Sequence, residues 1–94
     1  MDDQIRQRIE NDIKSNKVFL YMKGTPNEPQ CGFSAQISSI LKTYNVPFES
    51  FNILEDDGMR QGIKEFSDWP TIPQLYVNGE FIGGCDIDGT SLKR

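Results

Sequence analysis

The stretch VFLYMKGTPNEPQCGFSAQISSILKTY, residues 18–44, decides the fold. It opens on five apolar residues, Val18 to Met22, of strand length and strand type. KGTPNEPQ, residues 23–30, follows, and its Gly24, Pro26, Asn27 and Pro29 make it a loop. From Phe33 to Tyr44 the apolar Ile37, Ile40, Leu41 and Tyr44 fall at helical spacing. Asn45-Val46-Pro47 ends that helix, and FESFNIL, residues 48–54, reads as a second strand. A strand joined through a helix to another strand is a βαβ unit, which makes a parallel pair with a right-handed crossover.

Working outward, Ile5, Ile9 and Ile13 repeat between charged residues, so Asp2 to Ser15 reads as an amphipathic helix. EDDGMRQGIKEFS, residues 55–67, places acidic residues in a first turn and Met59, Ile63 and Phe66 at helical spacing, with Gly58 and Gly62 interrupting the pattern. WPTIP, residues 69–73, is a turn. QLYVNGEFIGG, residues 74–84, is two short apolar runs around Asn78-Gly79, a hairpin signal. The expected order is α-β-α-β-α-β-β in one domain spanning 1–94, with no repeat and no linker. It gives an α/β fold with a four-stranded mixed sheet flanked by helices.

Composition narrows the function. The chain has 94 residues, a net charge of −4 and no long basic run, which excludes a nucleic-acid footprint. No apolar run approaches membrane-spanning length. The acidic, polar Met1-Asp2-Asp3-Gln4 has neither the basic start and apolar run of a secretory signal nor the arginines of a transit peptide. The expected setting is the cytoplasm, or a mature form inside a mitochondrial matrix or plastid. Two cysteines are too few for a secreted disulfide scaffold, and the absence of histidine removes Cys-His pairs and His-based zinc sites.

Cys31 stands where a loop runs into a helix. The unpaired N–H groups and partial positive charge of a helix start favour a thiolate over a thiol, which suits nucleophilic attack and metal ligation. The bland reading is a small buried apolar residue; the polar loop before it and Gly32 after it favour access. Ser34 stands where a dithiol motif would have its second cysteine. A hydroxyl cannot resolve a mixed disulfide, so the chain either borrows an external thiol or uses its thiolate otherwise. A [2Fe–2S] cluster needs four thiolates, whereas this chain offers Cys31 and at most Cys85. The deficit calls for a second chain, a small thiol, or both. Ser34 also reads as an ordinary helix-start residue whose hydroxyl meets free N–H groups.

Together KGTP…CGFSAQ, RQGIKEFS and WPTIPQLYVNGEFIGGCDI resemble the monothiol, CGFS-class glutaredoxins of single-domain type, over roughly Ile9 to Ile87. The resemblance implies a thioredoxin-like fold, glutathione binding, and a [2Fe–2S] cluster bridging a homodimer through one Cys31 per subunit and two glutathione thiols. It implies cluster assembly and transfer with BolA-like partners and apo iron–sulfur proteins as recipients, and at most weak disulfide reductase activity. The alternative is a glutathione-dependent monothiol reductase that removes glutathione from proteins.

By the same resemblance Lys23 and Arg60 bind the glycine carboxylate of glutathione, with Lys64 a turn beyond Arg60 on the same helix face. Their bland reading is a solvated surface. Ile72 precedes a cis Pro73 and offers its backbone to a peptide, with Thr71 and Trp69 shaping the wall. Backbone N–H groups at Cys85 and Asp86 receive the γ-glutamyl carboxylate, and Asp86 accepts from the amine or caps a helix. Phe33 is either the exposed aromatic beside the cluster or a core residue. Cys85 stands between lining the site, pairing with Cys31 on oxidation, and lending a thiol in exchange. After GGCDI the family continues into an amphipathic helix; here DGTSLKR, residues 88–94, has no apolar periodicity, so that helix reads as truncated.

Overall fold

Val18–Met22 is buried along its whole length, with alternate side chains entering opposite halves of the core, and this makes it the central strand. The computed structural model describes residues 2–85 and 92–93, with the backbone alone at Gly84, Cys85, Leu92 and Lys93. Its elements are α1 (Asp3–Ser15), β1 (Val18–Met22), α2 (Gly32–Thr43), β2 (Glu49–Asn52), a single 3-10 turn (Ile53–Glu55), α3 (Asp57–Ser67), β3 (Gln74–Val77), β4 (Glu80–Cys85) and β5 (Leu92–Lys93). The strand order is β2-β1-β3-β4-β5. β1 and β2 pair in parallel across α2, and β3 and β4 pair antiparallel. The four-stranded mixed sheet expected from the sequence is present, in the thioredoxin-like arrangement, with the two-residue β5 added on the β4 edge.

Phe19 and Tyr21 of β1 point into one half of the core, with Ile9 and Ile13 of α1, Met59 and Ile63 of α3, and Ile53, Ile72 and Tyr76. Val18, Leu20 and Met22 point into the other, with Ile37 and Leu41 of α2 and Leu75 of β3. Each fully buried aliphatic side chain contributes about 1.5–3 kcal/mol of transfer free energy. Tyr21 and Tyr76 meet edge to face, with ring centroids 5.8 Å apart. Burial holds both phenols well above their usual pKa range, so they remain hydroxyl donors.

Two boundaries differ from the sequence reading. FESFNIL is a strand only over Glu49–Asn52, because the Asn52 carboxamide oxygen accepts from the Leu54 N–H at 3.0 Å and turns the chain into the 3-10 turn. The expected strand residues Phe48, Ile53 and Leu54 lie outside it. Gly58 and Gly62 interrupt the α3 pattern because α1 crosses there: a Cβ on Gly62 would run into Ile5 Cγ2, and one on Gly58 would approach Ile5 Cδ1. Of DGTSLKR, residues 88–94, where the last helix reads as truncated, only Leu92–Lys93 is described, as β5, and the rest lies outside the described residues. The tight turn at Asn78-Gly79 is as expected, with φ of 53° and 81°, the conformation of a type I′ hairpin. None of the described helices is long and apolar enough to cross a membrane.

Two outcomes follow from this packing. Gly62→Ala gains helix propensity, about 1 kcal/mol, but forces Ile5 out of its place; thermal unfolding should show a net loss of about 1–3 kcal/mol, and a stabilised variant would refute the close contact. Asp12 accepts from the Tyr21 hydroxyl at 3.1 Å, and burial raises its carboxyl above the usual range against the opposing pulls of Tyr21 and Arg8. The native state thus holds this proton more tightly than the unfolded chain does. Its contribution is greatest below the unfolded pKa and declines as pH rises through the folded one. Asp12→Asn keeps an acceptor and removes the charge. It should be more stable than the parent at pH about 7, with the gap closing as pH falls to about 4, as read by urea denaturation across that range.

Candidate thiol site

The site is assembled where β1 ends. Beyond Met22 the next two N–H groups no longer have a strand partner, and side chains from two other elements accept them. The Lys23 N–H donates to Ser34 Oγ at 3.0 Å, and the Gly24 N–H donates to Asn52 Oδ1 at 2.9 Å. Ser34 is wholly buried. Its hydroxyl therefore does meet a free N–H, though that of the central strand's exit and not one of its own helix. Asn52, which the sequence reading passed over as a strand residue, ties the same exit to the end of β2.

The loop between them is tightly folded. Gly24 has φ of +89°, and a Cβ there would collide with backbone atoms of Glu28 and Gln30, so only glycine fits. Thr25 and Glu28 exchange backbone bonds at 3.2 and 3.0 Å, Gly24 pairs with Pro29, and the Gln30 N–H returns to the Lys23 carbonyl at 2.9 Å. The tip is tied to the far end of α2 by Lys42, whose Nζ donates to the Pro26 carbonyl at 2.8 Å. The loop then delivers Cys31 to the N-cap position of α2, in extended conformation. Its thiol is free and partly exposed, and it makes no capping bond to the helix. The thiol thus stands at the positive end of a twelve-residue helix with access to solvent.

Two residues on from Cys31, Phe33 enters the lining of a cavity of about 180 Å³, together with Lys23, Lys64, Pro70, Thr71 and Ile72; Cys31 itself is not among the lining residues. This brings together five residues singled out in the sequence. Lys23 comes from the strand exit, Phe33 from the first turn of α2, Lys64 from the last turn of α3, and Thr71 and Ile72 from the loop before β3. The Ile72–Pro73 peptide is cis. Arg60, one turn before Lys64 on α3, is not among the lining residues, so Lys64 supplies the α3 cation. Cys85 ends β4, where its backbone pairs with Leu92; its side chain and Asp86 are outside the described residues, as is any bond between Cys85 and Cys31. Two wider hollows, of about 440 and 370 Å³, open at the opposite end of the sheet around Lys17 and contain no thiol. The smaller cavity, lined by Phe33 from the same helix start as the thiol, is the candidate site.

The wall opposite Lys23 is fastened from below. α3 ends at Asp68, in the left-handed conformation at φ of 56°, and the Trp69 N–H is taken by Ser67 Oγ at 3.1 Å. The Trp69 ring lies 5.8 Å from Phe81, and its buried indole N–H has no partner among the described residues. Gln74, also unmarked in the sequence, is wholly buried beneath this loop and bonded to it.

The fold is a thioredoxin-like sheet that, among the described residues, presents one free, partly exposed thiol at a helix start. The comparisons narrow the class. The glutaredoxin family model matches residues 18–82. The chain is 57% identical over 90 residues to the chloroplastic monothiol glutaredoxin-S14 of Arabidopsis thaliana, covering 96% of this chain and 52% of that protein. It is 53% identical over 87 residues to a ycf64-like monothiol glutaredoxin of Synechocystis, covering 93% and 81%. The solution structure of reduced apo GrxS14 from poplar matches with a TM-score of 0.74 at 55% identity, over 85% of this chain and 73% of that one. A buckwheat glutaredoxin–glutathione complex shares the fold, with a TM-score of 0.78 at 17% identity over 95% and 80%. The chain belongs to the glutaredoxin family, on its monothiol branch. It spans about half the length of the Arabidopsis relative.

Ser34 allows a direct check of this geometry. Ser34→Ala leaves the Lys23 N–H without its acceptor and should cost about 1–3 kcal/mol in denaturant unfolding. In Ser34→Cys the introduced thiol is buried, and in the native state it should alkylate at least about tenfold more slowly than Cys31. Equal rates, read by mass spectrometry, would show that the position is open.

Proposed function

We propose that the chain binds glutathione in the Lys23–Ile72 cavity and, through Cys31 and the glutathione thiol, shares a [2Fe–2S] cluster between two subunits for assembly into and transfer to iron–sulfur proteins. One observation carries the reading: a free thiol at a helix start, two residues before Phe33 in the wall of a cavity that also has two ammonium groups, Lys23 and Lys64, and the segment Thr71–Ile72. Glutathione is a small peptide with two carboxylates, an amine and a thiol. The ammonium groups suit a carboxylate, and the backbone of Ile72, held before the cis Pro73, suits a peptide edge. The buckwheat relative supports it, being a glutaredoxin solved with glutathione.

The donor set fits a shared cluster as cargo. Among the described residues no group of three or more metal-binding side chains occurs within the chain. A cluster requiring four thiolates is met by Cys31 and one glutathione from each of two subunits. Cys31 would supply the protein ligand, Lys23 and Lys64 would hold the glutathione carboxylate, and Thr71 and Ile72 would orient its backbone. Phe33 would cover the thiol side of the cavity. Arg60 would act at longer range from the same face of α3. Cys85 and Asp86 complete the proposed glutathione contacts at the γ-glutamyl end. BolA-like proteins and apo iron–sulfur proteins are the proposed partners, and a reducing interior, cytoplasmic or within an organelle, is the proposed compartment. The chloroplastic relative accords with that choice.

A free, accessible thiol also supports the second reading, removal of glutathione from proteins, in which Cys31 takes the glutathionyl group and a second glutathione releases it. Anaerobic reconstitution with iron, sulfide and glutathione separates the two. The first reading expects a coloured dimer that Cys31→Ser abolishes and Lys23→Ala weakens by about tenfold or more in glutathione requirement. A colourless monomer, with brisk turnover on a glutathionylated peptide, would overturn it in favour of the second.

A further inference from the structure

Gln74 does not line the cavity, yet it governs the wall that does. It is the first residue of β3 and has no solvent exposure. A buried carboxamide must satisfy two N–H donors and an acceptor oxygen. Gln74 Nε2 donates to the Trp69 carbonyl at 3.1 Å and the Thr71 carbonyl at 3.2 Å, while Oε1 accepts from the Tyr76 hydroxyl at 3.1 Å. Only this orientation of the amide satisfies all three, because the Trp69 and Thr71 carbonyls can only accept and so must face Nε2. Tyr76 is itself fixed by the rings of Tyr21, Phe66 and Phe81. The two carbonyls flank Pro70, and Pro70, Thr71 and Ile72 are the wall.

The segment's other anchors are apolar: Ile72 is buried in the core, and the Trp69 ring packs on Phe81. Pro70 and Pro73 have no N–H, and the Trp69 N–H is spent on the end of α3. A wall meant to offer peptide N–H groups to a ligand is best fastened by its carbonyls, and Gln74 fastens two of them. We propose that Gln74 is the positioning residue of this wall and sets the affinity of the site for a glutathione-like peptide. The inference rests on the glutathione reading of the cavity for its ligand, though not for its geometry.

The test uses the full chain, with glutathione titrated calorimetrically and acrylamide quenching of Trp69, the chain's single tryptophan, as a direct report on the wall. Gln74→Met keeps the length and removes all three bonds. It should remain folded by circular dichroism, bind glutathione about tenfold more weakly, and quench more readily at Trp69. Gln74→Glu sets a carboxyl against two carbonyl oxygens; burial favours its neutral form, which restores one donor. Its glutathione affinity should recover as pH falls from about 8 to about 5.5, where the parent stays flat. A change that merely loosened the core would give no such profile. Parent-like affinity and parent-like quenching in Gln74→Met would overturn the proposal. If the parent itself fails to bind glutathione, the ligand reading falls and quenching alone decides: unchanged quenching refutes the positioning role. If Gln74→Met does not fold, a flat pH profile in Gln74→Glu refutes it.

Discussion

The central strand cannot stop without stranding its own backbone. Past Met22 the Lys23 and Gly24 N–H groups lose their ladder partners while still shielded from water, and each would cost about 1–3 kcal/mol unpaired. Ser34 and Asn52 accept them, one from the start of α2 and one from the end of β2. This single requirement explains several residues at once. It explains a serine in place of a second cysteine, since a thiol is a weak acceptor. It explains why β2 ends at Asn52. It also roots the Lys23 side chain and the loop that carries Cys31.

The remainder of the molecule supports that junction from two sides. β1 divides its side chains between α1 and α3 on one face and α2 on the other, so all five are buried and the strand cannot shift register without exposing a core. The glycines of α3 let α1 lie close enough to cover one face. α3 then ends in a left-handed Asp68, which sends the chain across the sheet into the Trp69–Pro73 loop. Each step delivers a cavity residue, Lys64 from the last turn and Thr71 and Ile72 from the loop, with Gln74 bonded to the loop from beneath.

Much of this was legible from the sequence because its causes are local. Val18–Met22 is apolar, β-rich and bounded by turn residues. Asn78-Gly79 has the backbone freedom that a two-residue hairpin turn needs. Ile5, Ile9 and Ile13 share a helix face. The candidate site was legible in part, since CGFS, WPTIP and Lys23 are compact motifs, and Lys23, Phe33, Lys64, Thr71 and Ile72 do converge. What stayed hidden depends on partners far along the chain. Asn52 reaches Gly24 across 28 positions and looks like any polar residue at a strand end. Gln74 reads only as the first residue of the hairpin stretch, and only the folded loop above it shows that its amide is wholly used. Gly58 and Gly62 looked like flaws in a helix because Ile5, which needs the space, lies more than fifty residues earlier. Arg60 and Lys64 share a face of α3 by spacing, which does not determine that Lys64 is the one to line the cavity.

The tether from Lys42 to the loop tip has a mechanical consequence. Strand exit, loop and α2 form a closed frame, braced by Ser34 at its base and by Lys42 at its far corner. Cys31 sits on that frame, so the thiol is a stiff reference point. The facing wall is held twice, by the Gln74 carboxamide and by Ile72 in the core. Both jaws are therefore set before a ligand arrives, and selection among molecules should follow how well their bulk matches the gap already there.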